Sequence, residues 1–233
     1  MPEPEIIYTD KNFLAVNKPA GWLTHAAKRD DLHPTGVKIL ADWLAARYPE
    51  IKKVGNDPAW RPGIVHRLDQ GTSGVLLIAR TQIYFEYLTK LFREHQIKKT
   101  YLAVVYGRVA ETHGIINKPI GIKSGSMKRS VHATKMLKES ITEYEVVKYL
   151  KNQSGEIYTL LEVQPKTGRT HQIRVHLASL GHPIVGDALY GRKPKLAGPT
   201  RLRLHALSLE FSSSPGERLK LEAPAPADFY SLI

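Results

Sequence analysis

Five apolar residues in a row, Val75-Leu76-Leu77-Ile78-Ala79, place the tightest constraint on the fold. The run does not alternate, so it offers no face to solvent, and it has a strand's length rather than a helix's. It predicts a strand buried on both faces, with other structure layered above and below it. Directly before it lies Ile64-Val65-His66-Arg67-Leu68-Asp69-Gln70-Gly71-Thr72-Ser73-Gly74. One acid thus stands between a basic pair and a small turn, at the mouth of a strand whose packing fixes its position. Taken alone, Asp69 is an ordinary turn residue whose carboxylate bonds nearby N–H groups. A nucleophilic serine is not implied. The Gly-x-Ser-x-Gly elbow needs glycines two residues either side of the serine, and position 75 is Val.

Pattern gives the remaining elements. Residues 6–8 and 13–16 read as short strands around an Asp10-Lys11-Asn12 turn. Residues 35–48 follow the helix period and stop at Pro49. Thr81 is a candidate N-cap for a helix reaching about His95, with Ile83, Tyr87, Leu88, Leu91 and Phe92 as its buried stripe. Residues 99–107 form a strand with Tyr101, Ala103 and Val105 on one face. Residues 142–150 and 157–164 pair as strands, and a helix runs from an N-cap at Thr170 to a stop at Gly181. That helix carries Arg169 at its start, where anions bind, and Arg174 in its second turn. Residues 202–211 and 218–221 are the last strands.

A chain of 233 residues has ample length for a core, as one large domain or two small ones. Its formal charge is +12, from 34 basic and 22 acidic residues. A compact chain this basic is suited to a polyanion. Membrane is the rival to nucleic acid, but no long apolar run or basic amphipathic helix is visible. The cations concentrate in residues 117–138, which hold Lys118, Lys123, Lys128, Arg129, Lys135 and Lys138 and no acid. We expect a loop there that closes on phosphates and is disordered or displaced without them. The alternative is a solvated hairpin. Cysteine is absent, which excludes disulfides and cysteine-based zinc sites. Neither His-Glu-x-x-His nor a phosphate loop is present, and the polar, acidic start offers no signal peptide. The expectation is a cytoplasmic monomer with no cofactor or metal.

The string His-Arg-Leu-Asp-x-x-Thr-Ser-Gly resembles the signature of RNA pseudouridine synthases of the RluA type. Five more blocks match in the family's order: Lys18-Pro19-Ala20-Gly21, Lys99-Thr100-Tyr101-Leu102-Ala103-Val104-Val105-Tyr106-Gly107, Thr167-Gly168-Arg169-Thr170-His171-Gln172-Ile173-Arg174-Val175-His176, His182-Pro183-Ile184-Val185-Gly186-Asp187-Ala188-Leu189-Tyr190-Gly191, and Arg203-Leu204-His205-Ala206. The resemblance implies an α+β fold, with a mixed, largely antiparallel sheet, flanking helices and a central catalytic cleft. It implies one catalytic domain over residues 1–233; in a departure from many relatives, which carry an N-terminal S4 domain, none is expected here, because the first strand of the catalytic domain is read almost at the start of the sequence.

The same resemblance implies isomerisation of uridine to pseudouridine in ribosomal or transfer RNA. Asp69 would be the essential carboxylate, Tyr101 would lie over the reacting base, and Arg174 would pair with Asp69. Arg67 would enter the space left by a flipped base. Lys18, Lys123, Lys128, Arg129 and Arg169 would contact RNA. The chemistry needs no cofactor, because nothing is added or removed overall. Attack on C1′, a glycal-like route and addition to uracil C6 are all open to an ionised Asp69. A non-catalytic RNA-binding module would share the charge, but mere binding needs none of Asp69, Tyr101 and Arg174. An RNA hydrolase using His66 and Asp69 would cut the chain instead.

Overall fold

The computed structural model describes residues 1–26, 36–122, 128–191, 201–214 and 216–230. In chain order the elements are β1 (Glu5–Thr9), β2 (Phe13–Lys18), α1 (Leu40–Arg47), β3 (Ser73–Ala79), α2 (Gln82–Arg93), β4 (Lys98–Tyr106), β5 (His113–Asn117), β6 (Ile120–Ile122), β7 (Arg129–Ser130), β8 (Lys135–Lys138), β9 (Ile141–Lys151), β10 (Ile157–Pro165), α3 (Gln172–Ser179), β11 (Leu204–Ser214) and β12 (Glu217–Glu222). The fold is mixed α+β, rich in antiparallel strands and with few helices. The chain divides into two compact units. One comprises Met1–Lys98 and Ala206–Pro224, the other Lys99–His205 and Ala225–Ile233.

In the first unit the strand order is β1-β2-β3-β11, with β12 paired to β11. Every residue of β3 is buried, as the unalternating run requires. Phe13 and Ala15 of β2, Val75 and Leu77 of β3, and Phe211 of β11 share one core with Phe85, Leu88 and Leu91 of α2. Thr81 caps α2 by accepting the Tyr84 N–H at 3.3 Å. The expected stripe is misplaced by one member: Ile83 is 82% exposed and Phe85 is buried. The buried positions 85, 88 and 91 lie one helical turn apart, and residue 83 falls on the opposite side. The Asp10 turn forms as expected, its carboxylate accepting the N–H groups of Asn12 and Phe13.

Helix α1 is shorter than the pattern predicts. Residue 35 lies outside the described residues, and Lys38 and Ile39 are drawn instead into a bridge with Leu23. Leu23 donates to the Lys38 carbonyl at 3.0 Å, and Leu40 donates to the Leu23 carbonyl at 2.8 Å. Ile39 is therefore extended, and the helix begins only after it.

The second unit has the order β4-β10-β9-β5. Ala103 and Val105 of β4 and Leu161 and Val163 of β10 face one core, where Ile173 and Leu177 of α3 meet them. Tyr101 packs at its margin, on the face that alternation assigns it. Helix α3 departs from expectation at its start. Its N-cap is His171, in the left-handed region at φ 58°, and not Thr170. Arg174 consequently falls in the first turn, with Arg169 before the helix. At the other end Gly181, at φ 83°, closes the helix as its sequence position implies. The described part of the basic segment is more than a bare loop: β6 lies between β7 and β8 in a separate three-stranded sheet.

Gly74 has φ 116°, and a Cβ there would run into the backbone of Ala206. The close approach of two backbones next to the Asp69 loop depends on it. Gly74→Ala should destabilise the protein by about 3 kcal/mol or more. Urea unfolding of the variant against the parent measures this.

Candidate active site

Asp69 is half-buried in the loop entering β3, and both of its neighbours are anchored. Before it, the backbone of fully enclosed Leu68 is held twice by the Thr24 hydroxyl, which donates to the Leu68 carbonyl at 2.9 Å and accepts its N–H at 3.3 Å. After it, the Gln70 carbonyl accepts the Gly21 N–H at 2.8 Å and the Lys18 ammonium at 3.3 Å. The Gln70 side chain donates back to the Gly21 carbonyl at 3.1 Å. Within the loop, Thr72 N–H closes a turn onto the Asp69 carbonyl at 3.0 Å. The carboxylate is thereby presented from a fixed backbone by groups outside the loop.

His66 serves the same scaffold. Its Nε2 accepts the Leu77 N–H of β3 at 2.9 Å, and its ring stacks on Phe92 at 4.4 Å. A ring nitrogen committed to a backbone donor is poorly suited to act as a general base, which weighs against an RNA hydrolase built on His66. Ser73 is buried inside β3, which weighs against a serine nucleophile.

In the second unit, Arg174 and Asp187 form a buried two-pronged pair. Arg174 Nε reaches Asp187 Oδ2 at 2.7 Å and Nη2 reaches Oδ1 at 2.8 Å, with the side chains 9% and 0% exposed. The N–H groups of Leu189 and Tyr190 also donate to Asp187 Oδ1, at 2.9 and 3.0 Å. Burial alone would raise the Asp187 pKa, but hydrogen bonding and charge from Arg174, with the two backbone donors, bring it below the usual value. Sequence pattern assigns Asp187 no role. Its sequence signals are its place in the block His182–Gly191, which resembles the same family, and a turn pattern, an Asp followed by donors two and three residues later. The pairing expected between Arg174 and Asp69 joins residues of different units and belongs to the functional proposal. A guanidinium has five N–H donors, and Asp187 engages two of them.

The expected RNA contacts are in varied settings. Arg67, two residues before Asp69 in sequence, is exposed. Lys18 is not available at the surface: it is fully buried, and its ammonium also donates to the carbonyls of Pro19 and Trp22 at 3.0 and 2.9 Å. A buried ammonium needs such acceptors, and here they tie the Lys-Pro-x-Gly turn to Gln70. Arg169 is half-buried and donates from Nε to the Glu139 carbonyl at 3.0 Å. Lys128 is exposed and donates to the Leu189 carbonyl at 3.2 Å, and Arg129 is half-buried at the start of β7. Lys123 lies outside the described residues. Among the described residues no group of three or more His, Asp or Glu is arranged to hold a metal ion, and no helix is long and apolar enough to cross a membrane.

Comparison with known proteins agrees with these motifs. A family model described as RNA pseudouridylate synthase matches residues 12–179. An RNA pseudouridine synthase of Synechocystis is 36% identical over 98% of this chain and 68% of its own length. The ribosomal large subunit pseudouridine synthase D of Pseudomonas aeruginosa is 34% identical over 99% of this chain and 71% of its own. Among solved structures, human RNA pseudouridylate synthase domain containing 1 superposes with a TM-score of 0.75 at 29% identity, covering 96% of this chain and 84% of that one.

Removing one partner of the Arg174–Asp187 pair strands a buried charge. Asp187→Ala should cost about 3–5 kcal/mol in denaturant unfolding at neutral pH. The folded pKa of Asp187 is depressed, so its contribution is complete above the unfolded value of about 3.9 and fades as pH falls through the lower folded value. The gap between parent and variant should therefore narrow in acid.

Proposed function

Because this chain belongs to the RNA pseudouridine synthases of the RluA type, we propose that it isomerises particular uridines in structured RNA with Asp69 as the catalytic carboxylate. The observation that carries this reading is the anchoring of Leu68 and Gln70 on either side of a half-buried Asp69. A loop held this firmly around one acid fits a reacting group better than it fits a surface turn. Ribosomal RNA is the favoured substrate over transfer RNA, since relatives of 34–35% identity are named for the large ribosomal subunit.

In the proposed reaction the N1–C1′ bond of the target uridine breaks, the uracil turns within the site, and C5 bonds to C1′. The C5 proton is then lost and N1 gains one, so the base keeps its composition. Asp69 acts ionised, by attack on C1′, by taking the 2′ proton, or by adding to uracil C6. Arg174 orients the Asp69 carboxylate, and its grip by Asp187 fixes the guanidinium that does so. Tyr101 stacks on the base or helps remove the C5 proton. The target must leave the RNA stack, at a cost of about a few kcal/mol, and Arg67 occupies the space it leaves. In this proposal the two units act together as one catalytic domain, working as a monomer in the cytoplasm.

The exposed cations of the β6–β8 sheet supply phosphate affinity. Lys135 and Lys138 are exposed on β8, and Lys118 and Lys128 are exposed just before β6 and β7.

Asp69→Asn and Asp69→Ala should reduce tritium release from RNA labelled at uridine C5 to background while the fold survives. Substantial turnover by either variant removes Asp69 from the role. Arg174→Lys, which keeps charge but loses the fork, should lower turnover by about tenfold or more. Changing Lys128, Lys135 and Lys138 together to Ala should weaken RNA binding. It should also flatten the slope of log affinity against log salt by about 0.7 for each phosphate no longer neutralised. An unchanged slope would leave that sheet as a solvated hairpin.

A further inference from the structure

The hydroxyl of Tyr190 joins three segments that are separate in sequence. It accepts the backbone N–H of Arg129, the first residue of β7, at 3.0 Å. It also meets His171 Nδ1, at the residue that starts α3, at 3.0 Å. A hydroxyl that accepts the Arg129 N–H can also donate to an unprotonated Nδ1. The ring stands edge-on to His171 at 5.7 Å between centroids, and the Arg174 guanidinium carbon lies 5.2 Å from its centre. The backbone N–H of the same residue helps hold Asp187, which grips Arg174. Lys128 adds a parallel tie, through the Leu189 carbonyl, between the basic sheet and this turn.

We propose that Tyr190 is a positioning residue that couples the basic β6–β8 sheet to Arg174. The ring restricts where the guanidinium can sit, and the hydroxyl fixes the ring by holding it to β7 and to the start of α3. RNA seated on the basic sheet then steadies the residue that supports the catalytic acid. The link runs through a backbone N–H, so it survives loss of the sheet's side-chain charges. The inference rests on the reading that Arg174 supports Asp69.

Single-turnover rates on saturating RNA, RNA affinity and thermal stability should be measured for Tyr190→Phe, Tyr190→Leu, Arg174→Lys and the Tyr190→Phe, Arg174→Lys double variant. Tyr190→Phe keeps the ring and loses only the hydroxyl, so it should fold. Its rate should fall about tenfold, with affinity changed by less than about threefold, because the loss is one of alignment. Tyr190→Leu should be slower again. If Tyr190 acts through Arg174, the double variant should be little slower than Arg174→Lys alone. A parental rate in Tyr190→Phe, a loss confined to affinity, or losses that add fully in the double variant would each overturn the proposal. Failure of the underlying reading is separately visible: Arg174→Lys would then turn over at the parental rate, and the Tyr190 proposal would fall with it.

Discussion

An ammonium group sealed from water is tolerated only if carbonyl oxygens replace its hydration, since the uncompensated penalty is about several kcal/mol. Lys18 meets that demand with the carbonyls of Pro19, Trp22 and Gln70. Two of these lie in its own turn and one comes from 52 residues away. The requirement makes the turn curl so that its carbonyls converge, and it makes the Asp69 loop deliver the third. Gly21 reinforces the junction through Gln70, and Thr24 repeats the logic at Leu68. With β3 fixed between its neighbours and His66 bonded into it, the loop has little freedom left at Asp69.

The second unit solves the same electrostatic problem with a carboxylate. Arg174 is buried, so its charge needs a partner with matching geometry, and Asp187 supplies one in two-pronged form. The carboxylate is held in turn by the N–H groups of its own turn, so the fork is oriented from behind. Such a pair adds little net stability over an apolar replacement. What it secures is direction, since both prongs of the fork are held in one plane. Gln172 and His176 fix the opposite side of α3. Gln172 bonds Thr167, Arg169 and Thr142, and His176 lies between Thr142 and the Lys118 carbonyl. They are one turn apart with Arg174 between them, so the helix is clamped on one side and bears the guanidinium on another.

Features with a local period are legible in the sequence. The buried strand β3, the strands β9 and β10, the Asp10 turn and the Gly181 stop all follow from spacing and turn chemistry. The motif string singles out Asp69, although its turn chemistry alone does not. Other features depend on partners that no local pattern names. Lys18 stands in a recognisable turn, yet its burial follows from a carbonyl far along the chain. Thr24 has no sequence signal at all, since its partner Leu68 is 44 residues away. Helix α1 starts later than its period implies because a bridge to Leu23 outweighs that period. Thr170 is not the cap of α3 because His171 takes the left-handed turn instead.

The charge of +12 combines cations with two different uses. Lys18 and Arg174 are buried and satisfied internally, and buried Arg203 donates to the Asp228 carbonyl while Arg201 pairs with the Asp228 carboxylate. These groups add to the formal total, but their hydrogen-bonding capacity is directed inward. Arg67, Lys118, Lys135 and Lys138 are exposed, and it is groups of this kind that can exchange counterions for phosphates. Net charge therefore overstates the part of the surface that can draw in a polyanion. Its value as a clue depends on the clustering of cations in residues 117–138, where six stand without an acid, more than on the total. The described residues there lie on a small sheet tied by backbone and side-chain bonds to the turn that holds Arg174. One turn, residues 187–191, thus bonds both to that sheet and, through Asp187, to Arg174.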